Sequence, residues 1–326
     1  MSSRRRLLVV AIGCALGAAG GARAQDGRRR TIGFIGGGNA ETDAPGLAAF
    51  RHGMAELGWI DGRDYVLIER YAENEAKSLP DVASKLLTAR PDVILTTAES
   101  PALAMVKITK TPVVFTIARD PVGMGLAKSL QHPGGTVTGL VTFAPELSAK
   151  RVQLLREAFP RTSHIAAIHA TDDPVGPAQV KEIERASREL GLRFTALAIA
   201  GKVDIEPAFR KGAAAGADGF VIASGVMTST NRAAIVLAAA GTRIPAIYPF
   251  DIFPLAGGLM SYGTRRTENY RRAAAYVDKI LRGKSPGELP IEQPTNVDFV
   301  VNLAAARAQN LELPSAIVLR ADRVIQ

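Results

Sequence analysis

Arg119 and Asp120 follow the apolar run Val113-Val114-Phe115-Thr116-Ile117-Ala118, and Ser224 and Met227 follow Gly219-Phe220-Val221-Ile222-Ala223. Open α/β sheets hold ligands just beyond the carboxyl ends of their strands. The same rule selects Gly37 and Asn39 after the first apolar run, Ser100 after the third, and Asp172 at the start of the second half. It also selects Tyr248 and Asp251 after a late run. An arginine in such a place can hold a carboxylate in a bidentate grip, or pair with a neighbouring acid at the surface. Ser100 can cap the helix opening at Pro101 or touch a ligand, since free N–H groups at a helix start suit an anion. Gly36-Gly37-Gly38 can bring backbone N–H groups to an anion, or form a plain turn. Tyr248 offers a flat apolar face for a pocket or for the core. Asp120-Pro121 reads first as a helix start. Asp173-Pro174 reads as turn chemistry.

The residues that would carry catalysis are sparse. The histidines are His52, His132, His164 and His169, with no H-E-x-x-H spacing and no G-x-S-x-G elbow. His169, at a strand end, is the best single candidate, and a polar cleft or core role outweighs it. No metal site, no cofactor and no catalytic group is expected. The lone cysteine, Cys14, lies in the amino-terminal segment. That segment has a basic start at Arg4-Arg5-Arg6, an apolar stretch over 7–19, and Ala22-Arg23-Ala24 as a cleavage site. It reads as a secretory signal cleaved after Ala24, so the mature chain is expected to be cysteine-free and periplasmic. Four signal arginines inflate the net charge of +9. The remaining basic residues are scattered; Arg265-Arg266 and Arg271-Arg272 fit a solvated helix face. No aromatic-interleaved basic patch appears, which argues against nucleic-acid binding.

Positioning these side chains is the task of alternating elements. Apolar runs at 31–36, 65–69, 92–97, 112–116, 165–169, 193–199, 219–223 and 245–248 read as buried parallel strands. Helical patterns at 46–57, 79–89, 101–108, 177–190, 207–215 and 231–240 separate them. Further strands are expected at 137–142, 258–263 and 298–302, and helices at 268–281 and 303–309. Residues 112–142 read as strand, short helix, Pro-Gly-Gly break and strand. The halves echo one another: Glu56-Leu57-Gly58 and Glu189-Leu190-Gly191 are 133 positions apart, and so are Pro112 and Pro245. The pattern predicts an α/β fold of two Rossmann-like lobes with parallel sheets, joined by a multi-strand hinge. Residues 25–141 plus 264–289 form one lobe, and 142–263 plus 290–326 the other.

An ordered set of motifs extends this reading. It includes Asp120-Pro121-Val122-Gly123, Lys128-Ser129-Leu130, Pro133-Gly134-Gly135, Val137-Thr138-Gly139, Met260-Ser261-Tyr262-Gly263 and Leu289-Pro290-Ile291-Glu292-Gln293-Pro294-Thr295. With it the chain resembles the exported substrate-binding proteins of ABC transporters, related to tryptophan- and other amino-acid-binding lipoproteins of the type-1 periplasmic-binding fold. The resemblance implies a monomer whose lobes close on a small ligand, an amino acid, organic acid or aromatic acid. It also implies delivery to a membrane permease and its ATPase. Family members that hold amino acids carry a Thr-Asp-Asn-like set where this chain has Ser224-Gly225-Val226-Met227, which points to a less polar ligand. An exported enzyme on a Rossmann-like sheet and a ligand sensor for a membrane receptor are the competing classes.

Overall fold

The computed structural model describes residues 28–73, 75–142, 144–293 and 297–326. The expected signal segment, 1–24, lies outside the described residues.

The first sheet holds β1 (Arg30–Gly36), β2 (Tyr65–Tyr71), β3 (Val93–Thr96), β4 (Val113–Ala118) and β5 (Val137–Val141). Their order is β2-β1-β3-β4-β5, and every pair is parallel. β3 and β4 are buried at every position, as their unbroken apolar runs require of a sheet covered on both faces. Helices α1 (Ala40–Glu56), α2 (Leu79–Leu87) and α3 (Glu99–Val106) make the crossovers.

After β5 the chain enters α4 (Ala144–Ala158) and a second sheet. This contains β6 (His164–Ala170), β7 (Arg193–Ile199), β8 (Gly219–Ile222), β9 (Ala246–Tyr248) and β10 (Met260–Thr264). Their order, β7-β6-β8-β9-β10, repeats that of the first sheet, so the 133-residue echo is a repeat of topology. Helices α5 (Gly176–Glu189), α6 (Ile205–Ala214), α7 (Val226–Thr230), α8 (Arg232–Thr242) and α9 (Ile252–Leu255) connect these strands. Helix α10 (Arg266–Leu281) then returns to the first sheet and packs on α1, β3, β4 and β5. The chain passes back to the second sheet as β11 (Val297–Asn302), antiparallel to β10, then α11 (Leu303–Ala308), α12 (Ser315–Arg320) and β12 (Arg323–Ile325). Among the described residues no helix is long and apolar enough to cross a membrane.

Three departures from the sequence reading have physical causes. Residues 120–135 form turns, not a short helix. Gly125 and Gly134 sit at φ +72° and +70°, and Asp120 Oδ1 accepts the Gly123 N–H at 2.8 Å, a local bond that competes with helix. Helix α1 begins six residues before the expected Gly46, because Asn39 caps it by accepting the Thr42 N–H at 3.0 Å. Pro45 removes one hydrogen bond inside the helix without ending it. Helix α4 buries Ser148, Arg151, Val152 and Leu155, an i, i+3, i+4, i+7 face whose polar members hide the apolar period. The Arg151 guanidinium donates to the Tyr262 carbonyl at 2.8 Å and to Ser148 Oγ at 3.1 Å. Burial lowers its pKa to about 9.

Candidate ligand-binding cleft

Loops leaving the carboxyl ends of β1, β3 and β4 meet those leaving β8 and β9 around a small hollow, the place where open α/β sheets hold ligands. Gly38, Thr97 and Arg119 come from the first sheet's loops; Ser224, Gly225 and Phe250 come from the second's. An adjoining hollow lies on the other side of Arg119 and Val226, which line both.

Asp43, on the first turn of α1, lines the first hollow and is 2 % exposed. Its Oδ1 accepts from Arg266 Nη2 at 3.2 Å and from the Tyr270 hydroxyl at 3.1 Å. Its Oδ2 is buried with no hydrogen-bond partner. Burial raises the Asp43 carboxyl above the usual aspartate value; Arg266 and the Tyr270 hydroxyl bond pull against that rise. Gly36 makes room for this carboxylate: a Cβ there would lie 2.5 Å from Asp43 Oδ2. Arg266, at the start of α10, is also buried. Its guanidinium spends one N–H on Asp43 and lies 5.8 Å above the Phe250 ring. One wall therefore holds a buried carboxylate with one oxygen unpaired, packed toward Gly36, next to a guanidinium with donors to spare. Ala98, Ile117, Val226 and Phe250 supply apolar wall.

Arg119 is placed differently. Its Nη1 donates to Asp173 Oδ2 at 2.5 Å and to the Ser224 carbonyl at 3.0 Å, and its Nη2 to Glu99 Oε2 at 3.3 Å. Side-chain exposures are 6 % for Arg119, 0 % for Glu99 and 6 % for Asp173. Burial alone would lower the guanidinium's pKa, but the Glu99 and Asp173 carboxylates outweigh it and raise it. Glu99 Oε1 also accepts the backbone N–H groups of Arg119 and Asp120, clamping the end of β4. Asp173 is seated by the Val175 N–H on its Oδ1 at 3.0 Å and by Gly225, where a Cβ would come within 2.6 Å of Oδ2.

The other sequence candidates divide cleanly. Ser224 lines the first hollow; its N–H and hydroxyl each donate to Gln179 Oε1 at 2.8 Å, and Gln179 Nε2 returns a bond to the Ser224 carbonyl at 2.9 Å. Gly37, Ser100, Asp172 and Met227 line the second hollow. Ser100 lies inside α3 and makes no cap. Asn39 serves α1 as its cap, Tyr248 is buried and stacked on Phe253 at 5.0 Å, and Asp251 pairs with Arg323 at 2.9 Å; none of these three lines either hollow.

Sequence reasoning missed Asp43 and Arg266. Asp43 lies before the helix expected at 46–57, in the first turn of α1 as it forms. The sequence pattern sets Arg265 and Arg266 together on a solvated helix face; in the structure Arg265 pairs with Asp298 while Arg266 is buried against Asp43. The Gly36-Gly37-Gly38 turn followed by the first acids of a helix was the available signal. His164 donates to or accepts from Thr195 Oγ1 at 2.9 Å, and His52 lies 3.3 Å from Glu56. Among the described residues no group of three or more His, Cys, Asp or Glu could hold a metal ion.

Comparison with known proteins agrees with this architecture. The chain is 23 % identical over 269 residues to a tyrosine-binding protein of Clostridioides difficile (strain R20291), covering 82 % of this chain and 77 % of the relative. It superposes on an ABC domain in complex with L-Trp from Streptococcus pneumonia with a TM-score of 0.84 and 20 % identity, over 91 % of this chain and all of the other. A conserved domain protein from Vibrio cholerae o1 biovar eltor gives a TM-score of 0.85 at 22 % identity, with the same coverage. These structural likenesses establish the two-lobed α/β fold of type-1 periplasmic-binding proteins. The family model for ABC transporter substrate binding proteins matches residues 43–325, and the chain belongs to that family, whose members bind small ligands and work with ABC transporters.

Proposed function

We propose that this protein is the exported solute receptor of an ABC importer and that its ligand is an α-amino acid held in the first hollow. The observation that carries this is the Asp43–Arg266 pair. Asp43 Oδ2 is buried without a partner and accepts the ligand's ammonium; Arg266 keeps N–H donors for its carboxylate. Charge supports a zwitterion over a plain organic acid. Three carboxylates, those of Asp43, Glu99 and Asp173, surround two guanidiniums, so a bare anion would leave the cleft further from neutrality. The apolar wall of Ile117, Val226 and Phe250 receives the ligand's side chain.

In this reading residues 25–141 plus 264–289 form one lobe and 142–263 plus 290–326 the other, and the lobes close over the ligand. The signal is cleaved after Ala24 and the mature monomer works in the periplasm. It delivers to a permease and ATPase at the inner membrane and binds without turnover or cofactor. Gly37, Ser100, Asp172, Ser224 and Met227 shape the neighbouring walls.

The test is calorimetric titration of the exported protein with amino acids, organic acids and aromatic acids. Saturable binding confined to α-amino acids supports the assignment; binding of carboxylic acids that lack the amino group overturns the ligand class.

A further inference from the structure

We infer that Arg119 is a latch between the two sheets, not an anchor for the ligand. This rests on the two-lobe closing reading above. The guanidinium at the end of β4 reaches across the cleft to Asp173 after β6 and to the Ser224 carbonyl after β8. Its remaining ionic partner, Glu99, opens helix α3, which connects β3 to β4 on Arg119's own side of the cleft. The two carboxylates have different jobs. Glu99 holds the Arg119 backbone as well as its side chain, so the cation stays neutralised whether or not the sheets are apposed. Asp173 and Ser224 can be reached only when they are. The cross-sheet contacts therefore stabilise the closed form alone, and a contact made in one of two states shifts the population toward that state.

The second sheet's side is prepared in advance. Asp173 Oδ1 is engaged by the Val175 N–H, which leaves Oδ2 to face Arg119. Gly225 supplies the clearance that a side chain would remove. The Ser224 carbonyl is oriented by the three hydrogen bonds that join Ser224 to Gln179. All three ionic side chains are nearly inaccessible, so the contact is weakly screened and removing one partner strands the other charge. A second cross-sheet pair, Arg232 with Glu41, is 83 % exposed on its acid side and contributes little by comparison. With its donors directed to two carboxylates and a carbonyl, Arg119 offers a ligand carboxylate less than Arg266 does. The latch holds the hollow shut; the Asp43–Arg266 wall chooses what is inside.

The test uses spin labels. Cys14 is the only cysteine, so the protein cleaved after Ala24 has none and takes labels on cysteines introduced at Lys107, just past α3, and Lys181 on α5, both exposed. Asp173→Asn keeps the side chain's volume and its Oδ1 acceptor while removing the charge. The expected result is a loss of the short-distance population in the ligand-free protein on the order of tenfold. With L-tyrosine as probe, dissociation should be on the order of 10²-fold faster, with association unchanged. Arg119→Lys should fall between wild type and Asp173→Asn, and Arg232→Ala should match wild type. An unchanged distance distribution in Asp173→Asn overturns the latch, as does loss of L-tyrosine binding in Arg119→Lys with distances unaltered. If wild type binds no α-amino acid, the ligand class fails while the distance measurement in the ligand-free protein still decides the latch.

Discussion

The Asp43 carboxylate lies 3.2 Å from the Arg266 guanidinium, 223 positions further along the chain. One comes from the first turns of α1 and the other from the first turn of α10, two helices that pack together on the first sheet. Breaking a buried pair by removing one partner strands the other charge. Asp43→Ala should therefore destabilise the protein by about 3–5 kcal/mol, read from urea unfolding. Asp43→Asn should be milder in stability yet lose amino-acid binding in titration calorimetry. Retained affinity in a folded Asp43→Asn protein would remove Asp43 from the ligand site.

The same carboxyl makes binding pH-dependent. Burial lifts its folded pKa above the ordinary aspartate value of 3.8, against the opposing pull of Arg266 and Tyr270. Its stabilising contribution is complete below pH 3.8 and fades as pH rises through the raised folded value. An ammonium ligand needs the ionised form, so affinity should fall as pH drops through that value, with a proton released on binding. Calorimetry in two buffers of different ionisation enthalpy measures the release. Equal heats in both at a pH near the raised value would rule it out.

Gly36 should not tolerate a methyl group. A Cβ would meet Asp43 Oδ2 at 2.5 Å, Tyr71 Cδ1 at 3.1 Å and Phe34 Cε1 at 3.2 Å. Overpacking of this kind costs about 1–3 kcal/mol. Gly36→Ala is expected to lower the melting temperature and also weaken ligand binding, because Asp43 is what must move. A lowered melting temperature with unchanged affinity would count against Asp43 contacting the ligand.

Gln179 fixes Ser224 from helix α5. Truncation to Ala leaves the Ser224 N–H and hydroxyl without the amide that now receives both. An unsatisfied buried group costs about 1–3 kcal/mol, and Gln179→Ala should show a loss of that size in chemical denaturation. Gln179→Glu, which keeps the acceptor but not the Nε2 donor, should recover part of it.

Much of the frame was legible in the linear chain because its signals are local. Val- and Ile-rich runs separated by amphipathic stretches can be stable only as buried parallel strands under helices, and the 133-residue echo foretold two sheets of one strand order. Strand-end geometry likewise brought Gly37, Ser100, Arg119, Asp172, Ser224 and Met227 to the two hollows. The same local logic overreached at Asn39, Tyr248 and Asp251. These residues also follow strands, yet they spend themselves on a cap, on core stacking and on an ion pair.

What tertiary structure alone decided is the partnership of charges. Arg119 and Asp173 are 54 positions apart, and Asp43 and Arg266 are 223 apart. No local pattern encodes which acid will meet which arginine. Even at strand ends, a side chain's role depends on the element that the fold sets opposite it. Arg119 became a cross-sheet contact because β6 and β8 end facing β4. Arg266 turned inward because α10 returns to the first sheet, where Asp43 lies buried with one oxygen still unpaired.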